Sequence, residues 1–151
     1  MIRTLKFRLY PNKQQQEHIR FTLERCRLLY NRLLEERIHA YKENNESLTY
    51  HQQKATLPER RKHIPGLKQV HSQVLQNVVE RLDKSYQAFF RRVKNGEKVG
   101  FPRFKPQSQY NSFIYPQSGF AVKGRYLKLS KIGSVRIRLH RNIEGKIKTF
   151  F

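Results

Sequence analysis

The residues best placed to do chemistry lie in one stretch, Gly96 to Tyr115, GEKVGFPRFKPQSQYNSFIY. Arg103 and Lys105 can meet phosphates there. Phe101, Phe104, Tyr110, Phe113 and Tyr115 can stack on bases or pack against the protein, and Glu97 is the only acid. Cations interleaved with aromatic rings suit a single strand or a groove of nucleic acid. The same composition also describes a basic linker whose rings plug into neighbouring elements, and composition alone leaves both readings open.

The chain as a whole favours a polyanion. Its 151 residues hold 32 Lys and Arg against 11 Asp and Glu, a formal charge of +21. A sequence pI near 10.6 points most simply to nucleic acid. The charge is uneven: residues 1–97 carry 20 basic and 10 acidic residues, whereas residues 98–151 carry 12 basic residues and only Glu144 as an acid.

Several chemistries lack their residues. Metal-dependent cleavage needs clustered carboxylates, but Asp83 is the only aspartate and reads as a surface charge between Arg81 and Lys84. The histidines at 18, 39, 51, 63, 71 and 140 form no HxH or HExxH spacing, so no metal site or other cofactor is expected. Cys26 is alone and can build neither a disulfide nor a zinc ribbon. No glycine-rich phosphate loop of the NTPase kind is present. Autonomous catalysis is therefore not expected. No apolar run approaches the ~20 residues that span a bilayer, and the start, MIRTLKFRLYP, lacks a signal-peptide apolar region. A reducing compartment fits the single thiol. The expected location is cytoplasmic and nucleoid-associated, away from membranes.

The elements that must position these residues follow from periodicity. Leu5, Phe7 and Leu9 alternate with Lys6, Arg8 and Tyr10, which predicts a strand with an apolar and a basic face. Asn12 and Gln15 form a capping-box pair before a long helix over 13–41. Its apolar stripe is Ile19, Leu23, Cys26, Tyr30, Leu33, Leu34, Ile38 and Tyr41, with Arg20, Arg27 and Arg37 on a solvated face. Thr49 predicts a cap for a short helix over 50–56, and Pro58 the first turn of another, before Pro65-Gly66 breaks it. Ser72 predicts the cap of a second long helix, with Leu75, Val78, Val79, Leu82, Tyr86, Phe89, Phe90 and Val93 as its apolar face, ended by Asn95-Gly96. The two long helices are expected to pack antiparallel. A hairpin of 120–122 with 126–129, a strand around Val135, Ile137 and Leu139, and a last strand from Lys146 complete the chain.

The first strand needs backbone partners, and those lie at the far end of the sequence. The expected class is α+β, a small antiparallel β-barrel with a helical bundle inserted after its first strand. The parts are a first barrel strand at 1–10, a helical insertion at 11–96, a basic aromatic linker at 97–111 and the remaining strands at 112–151. Lys6, Arg8, Lys128, Arg136 and Arg138 fall on the outer face by alternation.

Five segments recur in an order typical of one family: MIRTLKFRLYPNKQQ, LLYNRLLEER, SQVLQNVVERLDKSYQAFFRRVKNG, VGFPRFKPQ and LKLSKIGSVRIRLHRNIEGKIKTF. Through them the chain resembles the amino-terminal part of TnpB/OrfB proteins, transposon-encoded RNA-guided DNA nucleases. The resemblance implies a wedge-type barrel with a helical recognition insertion that grips guide RNA and reads a short target-adjacent DNA motif. It implies target-DNA contacts at Tyr50, Ser72, Gln73 and Gln76, and RNA or phosphate contacts at Lys6, Arg8, Arg103, Lys105, Arg136, Arg138 and Lys148. Tyr30 and Asn31 fit the family pattern, for packing or for contact. Family members continue into a RuvC-like nuclease domain with three acidic residues and a zinc ribbon. This sequence stops before them, so no catalytic residue carries over. The expectation is a binding portion without cleavage of its own. The alternatives are a piece of an active nuclease completed by a downstream segment, and a protein-interaction or regulatory remnant.

Overall fold

A computed structural model describes residues 2–98, 100–141, 143 and 147. In chain order the elements are β1 (Arg8–Tyr10), α1 (Lys13–Asn44), α2 (Tyr50–Lys54), α3 (Leu57–His63), α4 (Ser72–Lys94), β2 (Phe120–Lys123), β3 (Tyr126–Leu129) and β4 (Gly133–Arg138). Short 3-10 turns lie at Leu67–Gln69 and Gln107–Gln109.

The starts of α1 and α2 follow from their first residues. The Asn12 side chain accepts the Gln15 amide while Gln15 accepts that of Asn12, and Thr49 and Gln52 repeat the exchange. A cap of this kind contributes about 1 kcal/mol. For α4 the expectation is corrected. His71, not Ser72, is the cap: its extended backbone precedes the helix and its Nδ1 accepts the Gln73 amide at 3.3 Å. Ser72 is already helical, so its hydroxyl is available to the surface rather than committed to the cap.

The core joins α1 and α4 to the inner face of the sheet. Cys26, Leu29, Tyr30, Leu33 and Leu34 of α1 meet Val74, Leu75, Val78, Val79 and Leu82 of α4, together with Leu127, Leu129, Val135 and Ile137. Each such aliphatic side chain contributes about 1.5–3 kcal/mol by burial. The stripe of α1 stops short of Tyr41, which is exposed. The aromatic end of α4 also leaves the core, with Phe90 and Val93 exposed beyond the end of the packing.

Arg37 departs most from its expected solvated position: it is 7% exposed. Its Nε donates to Gln53 at 2.7 Å, its Nη2 donates to Asp83 at 3.1 Å, and its guanidinium lies 4.8 Å from the Tyr86 ring centre. Asp83, expected as a surface charge, is the anion that makes this burial affordable. Gln53 donates in turn to the Leu33 carbonyl at 2.9 Å. One polar network thus ties α2 to both long helices.

The strands form one antiparallel sheet in the order β1-β4-β3-β2. The pairing of the first strand with the far end of the chain is as expected. The barrel is not: among the described residues the sheet is open, with β1 and β2 as its edges. Four strands of three to six residues give too little sheet to curl shut. The expected final strand lies almost wholly outside the described residues. β1 is also shorter than expected, because β4 ends at Arg138, opposite Arg8, and offers no ladder partner to residues 5–7.

Candidate nucleic-acid interface

Strand register builds the first surface. Arg8 pairs with Arg138, Leu9 with Ile137, and Tyr10 with Arg136; Arg136 also faces Tyr126, which pairs with Lys123. Alternation then sorts the side chains. Leu127, Leu129, Val135 and Ile137 are buried, while Arg8, Tyr10, Lys123, Tyr126, Lys128, Arg136 and Arg138 are exposed on the opposite face. Among the described residues no carboxylate pairs with Arg8, Arg136 or Arg138, in contrast to the ion pairs along the helices. At one end of this face Lys6, Phe7, Arg8, Tyr10, Arg138 and His140 line an open groove of about 570 Å³. The Phe7 and His140 rings meet there with centres 5.0 Å apart. Three of the expected phosphate contacts, Lys6, Arg8 and Arg138, therefore share one groove, and Arg136 adjoins it through Tyr10. Lys148 lies outside the described residues.

The second surface is a groove of about 410 Å³ between α2, α3 and α4, lined by His51, Lys54, Arg61, Ser72, Leu75 and Gln76 among others. Ser72 and Gln76 occupy one face of α4 at a spacing of four. The two other expected DNA contacts lie beside the groove. The Gln73 side-chain Oε1 accepts the Ser118 amide at 2.9 Å, which anchors the loop before β2. Tyr50 packs partly into the core and stands edge-on to His51, with the Lys54 ammonium 5.6 Å from its ring centre. His51, Lys54 and Arg61 were not singled out in the sequence. The signal for the first two was their i,i+3 spacing on α2, which gives that helix one basic edge. Arg61 comes into the groove only through the tertiary fold, and its buried Nε has no hydrogen-bond partner among the described residues.

The stretch around FPRFK divides between the two roles that its composition allowed. Asn31 clamps the backbone of Lys105, donating to its carbonyl at 3.0 Å and accepting its amide at 2.8 Å, and Arg27 donates to the same carbonyl at 3.2 Å. Arg81 donates to the Ser112 carbonyl at 2.7 Å. Between these clamps Tyr110 and Tyr115 are buried, and burial pushes both phenols up from their ordinary pKa. Phe101 and Phe104 are exposed instead, and Phe101 stacks on Phe89 at 4.5 Å. Arg103 is exposed, and neither it nor Lys105 lines either groove. Asn31 is thus a packing residue, as is Tyr30, whose hydroxyl lies 3.2 Å from Ser85 Oγ.

Cys26 is fully buried, and burial pushes its thiol up to about 12. A thiol so held is not a nucleophile at neutral pH. Burial also lowers the pKa of His71, with Arg61 and Lys131 adding repulsion.

A family model described as a helix-turn-helix domain, of the OrfB type of IS605 elements, matches residues 1–46. The described part of that stretch folds as β1 followed by one uninterrupted helix of 32 residues, α1. "Putative RNA-guided DNA endonuclease InsQ" of Escherichia coli K12 is 30% identical over 150 residues, covering 97% of this chain and 36% of that protein. A "Putative RNA-guided DNA endonuclease" of Streptomyces pristinaespiralis is 30% identical over 132 residues, covering 85% of this chain and 32% of that protein. The chain spans about a third of the length of the curated relatives it matches.

Proposed function

We propose that the chain corresponds to the amino-terminal part of an OrfB/TnpB-family protein and is a nucleic-acid-binding portion of a transposon-associated, RNA-guided nuclease. The observation that carries this reading is the outer face of the sheet, where Arg8, Arg136 and Arg138 stand exposed and adjacent. Like charges directly opposite on neighbouring strands are destabilising, and a polyanion laid across them reverses that cost.

The two surfaces divide the work. The sheet face, with Lys6, Arg8, Arg136 and Arg138, takes the phosphates of guide RNA, and Arg103, Lys105 and Lys148 add to that field. The helical groove takes target-adjacent DNA, where Gln76 has the donor and acceptor needed to read an adenine edge. Ser72 bonds beside it, and Tyr50 and Gln73 support the two flanks. In this reading β1 and β2–β4 are a wedge, residues 11–96 are the recognition insertion and 97–111 the linker between them. Cleavage belongs elsewhere: Asp83, the only aspartate, is held by Arg37 and Gln87.

Binding of the purified chain to RNA from its own element, to scrambled RNA and to duplex DNA across a salt series tests this. The expected result is tight cognate-RNA binding that persists at moderate salt. Equal, salt-fragile binding to every polyanion would reduce the chain to a basic surface, and no binding would overturn the reading.

A second reading draws on Phe89, Phe90, Val93 and Phe101, a partly exposed apolar cluster at the end of α4. It suits a surface completed by a nuclease segment in an active assembly. Co-purification of the chain with such a segment, lost in Phe90→Asp, would favour this reading.

A further inference from the structure

We infer that the outer face of the sheet is a stacking platform for unpaired bases, on which Tyr10 and Tyr126 each receive a nucleobase of one strand while Arg8, Arg136 and Arg138 hold its phosphates. This rests on the nucleic-acid reading above and goes beyond it, because phosphate contacts alone do not distinguish a single strand from a duplex.

Register places the two rings. Tyr10 on β1 and Tyr126 on β3 both face Arg136 on the intervening β4. Two strand spacings separate them, roughly 10 Å, and Arg136 stands on the strand between. The row continues to Lys123 on β2. Tyr10 and Tyr126 are 44% and 52% exposed, on a face whose opposite side already supplies the sheet's apolar burial. Tyrosine is amphipathic, so its exposure is tolerable, but two half-exposed rings in one cationic row lie outside the core. The Arg8 guanidinium lies 5.8 Å from the Tyr10 ring centre, so a base approaching Tyr10 also meets a planar cation on which it can stack.

The exposed rings decide which nucleic acid the surface suits. In a duplex the base faces are covered by their neighbours, so exposed rings cannot stack on them. An unpaired strand offers its π-faces, and sheets with exposed aromatics are a recurring way to receive them. The helical groove differs: Ser72 and Gln76 give it hydrogen-bonding groups suited to base edges. Charge complementarity therefore says that a polyanion covers the sheet, and the rings say that the polyanion is single-stranded.

The test uses the whole chain and a labelled unpaired RNA of about twelve nucleotides, within the usual range of single-strand site sizes, beside the same RNA annealed to its complement. Tyr10→Ala and Tyr126→Ala should each weaken single-strand binding about tenfold, the scale of one lost base stack. Duplex binding and the salt slope should not change, and Tyr10→Phe and Tyr126→Phe should bind as the parent does. Equal losses on both RNAs, or no loss on either, would overturn the platform while leaving the nucleic-acid reading intact. A parent chain that binds neither RNA would overturn both. Should an alanine variant fail to fold, photocrosslinking of the parent to RNA carrying 4-thiouridine decides: adducts at Tyr10 or Tyr126 are expected, and adducts confined to the helices would overturn the proposal.

Discussion

The sheet face and the helical groove both present cations, but they are held in different ways. On the sheet, Arg8, Arg136 and Arg138 stand on a rigid ladder with their aliphatic neighbours buried behind them. Backbone hydrogen bonding fixes their spacing, and no side-chain partner is needed. In the groove, His51 and Lys54 ride on a five-residue helix too short to persist alone. Their position depends on the buried Arg37–Gln53 bond and on the Gln53–Leu33 bond beneath α2. A ladder suits a surface that must grip a repeating backbone. A short helix on a polar tether suits one that must adjust to base edges. The groove should therefore come apart before the sheet does.

The largest effect should come from the tether. Asp83→Ala leaves the Arg37 guanidinium buried without its anion, and breaking a buried pair from one side costs about 3–5 kcal/mol. Asp83 is partly exposed, which places the expected loss near the lower end, about 3 kcal/mol. Chemical denaturation measures it. Hydrogen exchange then localises it: α2 amides should lose protection while β3 and β4 keep theirs. Uniform loss across both regions would mean that the groove and the sheet form one cooperative unit.

Next in size is the phosphate grip. Arg136→Ala combined with Arg138→Ala should lower the slope of log affinity against log salt by about two, one for each phosphate contact removed. The same pair should weaken cognate and scrambled RNA alike. An unchanged slope would detach the sheet from the polyanion altogether. Gln76→Ala should do the converse on duplex DNA. It should lose about 1–3 kcal/mol of preference for the favoured base pair and leave the salt slope unchanged. If both variants changed both quantities together, the two surfaces would be one site.

What was legible in the sequence also divides along these lines. Period-two alternation separated the inward and outward residues of β1 and β4 and put Lys128 of β3 outside, because a strand's faces are set by parity alone. It placed Tyr10, Arg136 and Arg138 on one side without any knowledge of pairing. It could not give Tyr126 as a neighbour of Arg136, because register depends on where the turns fall. Nor could it show that β4 ends at Arg138 and leaves the sheet open. The capping boxes at Asn12 and Thr49 were readable because each is a local exchange between residues three apart. Arg37 was misread for the opposite reason. An arginine off the apolar stripe is buried only if a carboxylate arrives from elsewhere, and Asp83 comes from a helix 46 positions away. The groove residues Ser72 and Gln76 came from family resemblance, whereas Arg61 needed the fold.

The smallest expected effect joins the two regions. His71 caps α4, the helix that presents Ser72 and Gln76, and its ring stacks at a tilt against Tyr115, 5.5 Å away. On its other side it packs against Gly119 at the start of the hairpin, where a Cβ would lie 2.8 Å from Nε2 and φ is +88°. Burial and the nearby Arg61 and Lys131 lower its pKa below the usual imidazole value. The folded state therefore binds fewer protons than the unfolded chain in that range. Stability should be full above about pH 6.5, the unfolded imidazole value, and should fall as pH drops from there towards the lowered folded value. Protonation also removes the acceptor that Nδ1 offers to Gln73 and sets a cation against the positive end of the helix. His71→Asn keeps a capping acceptor that does not titrate. Between about pH 7.5 and 5.5 the parent should lose more thermal stability than this variant. Parallel pH profiles would show that the contact between groove and sheet is held by packing alone.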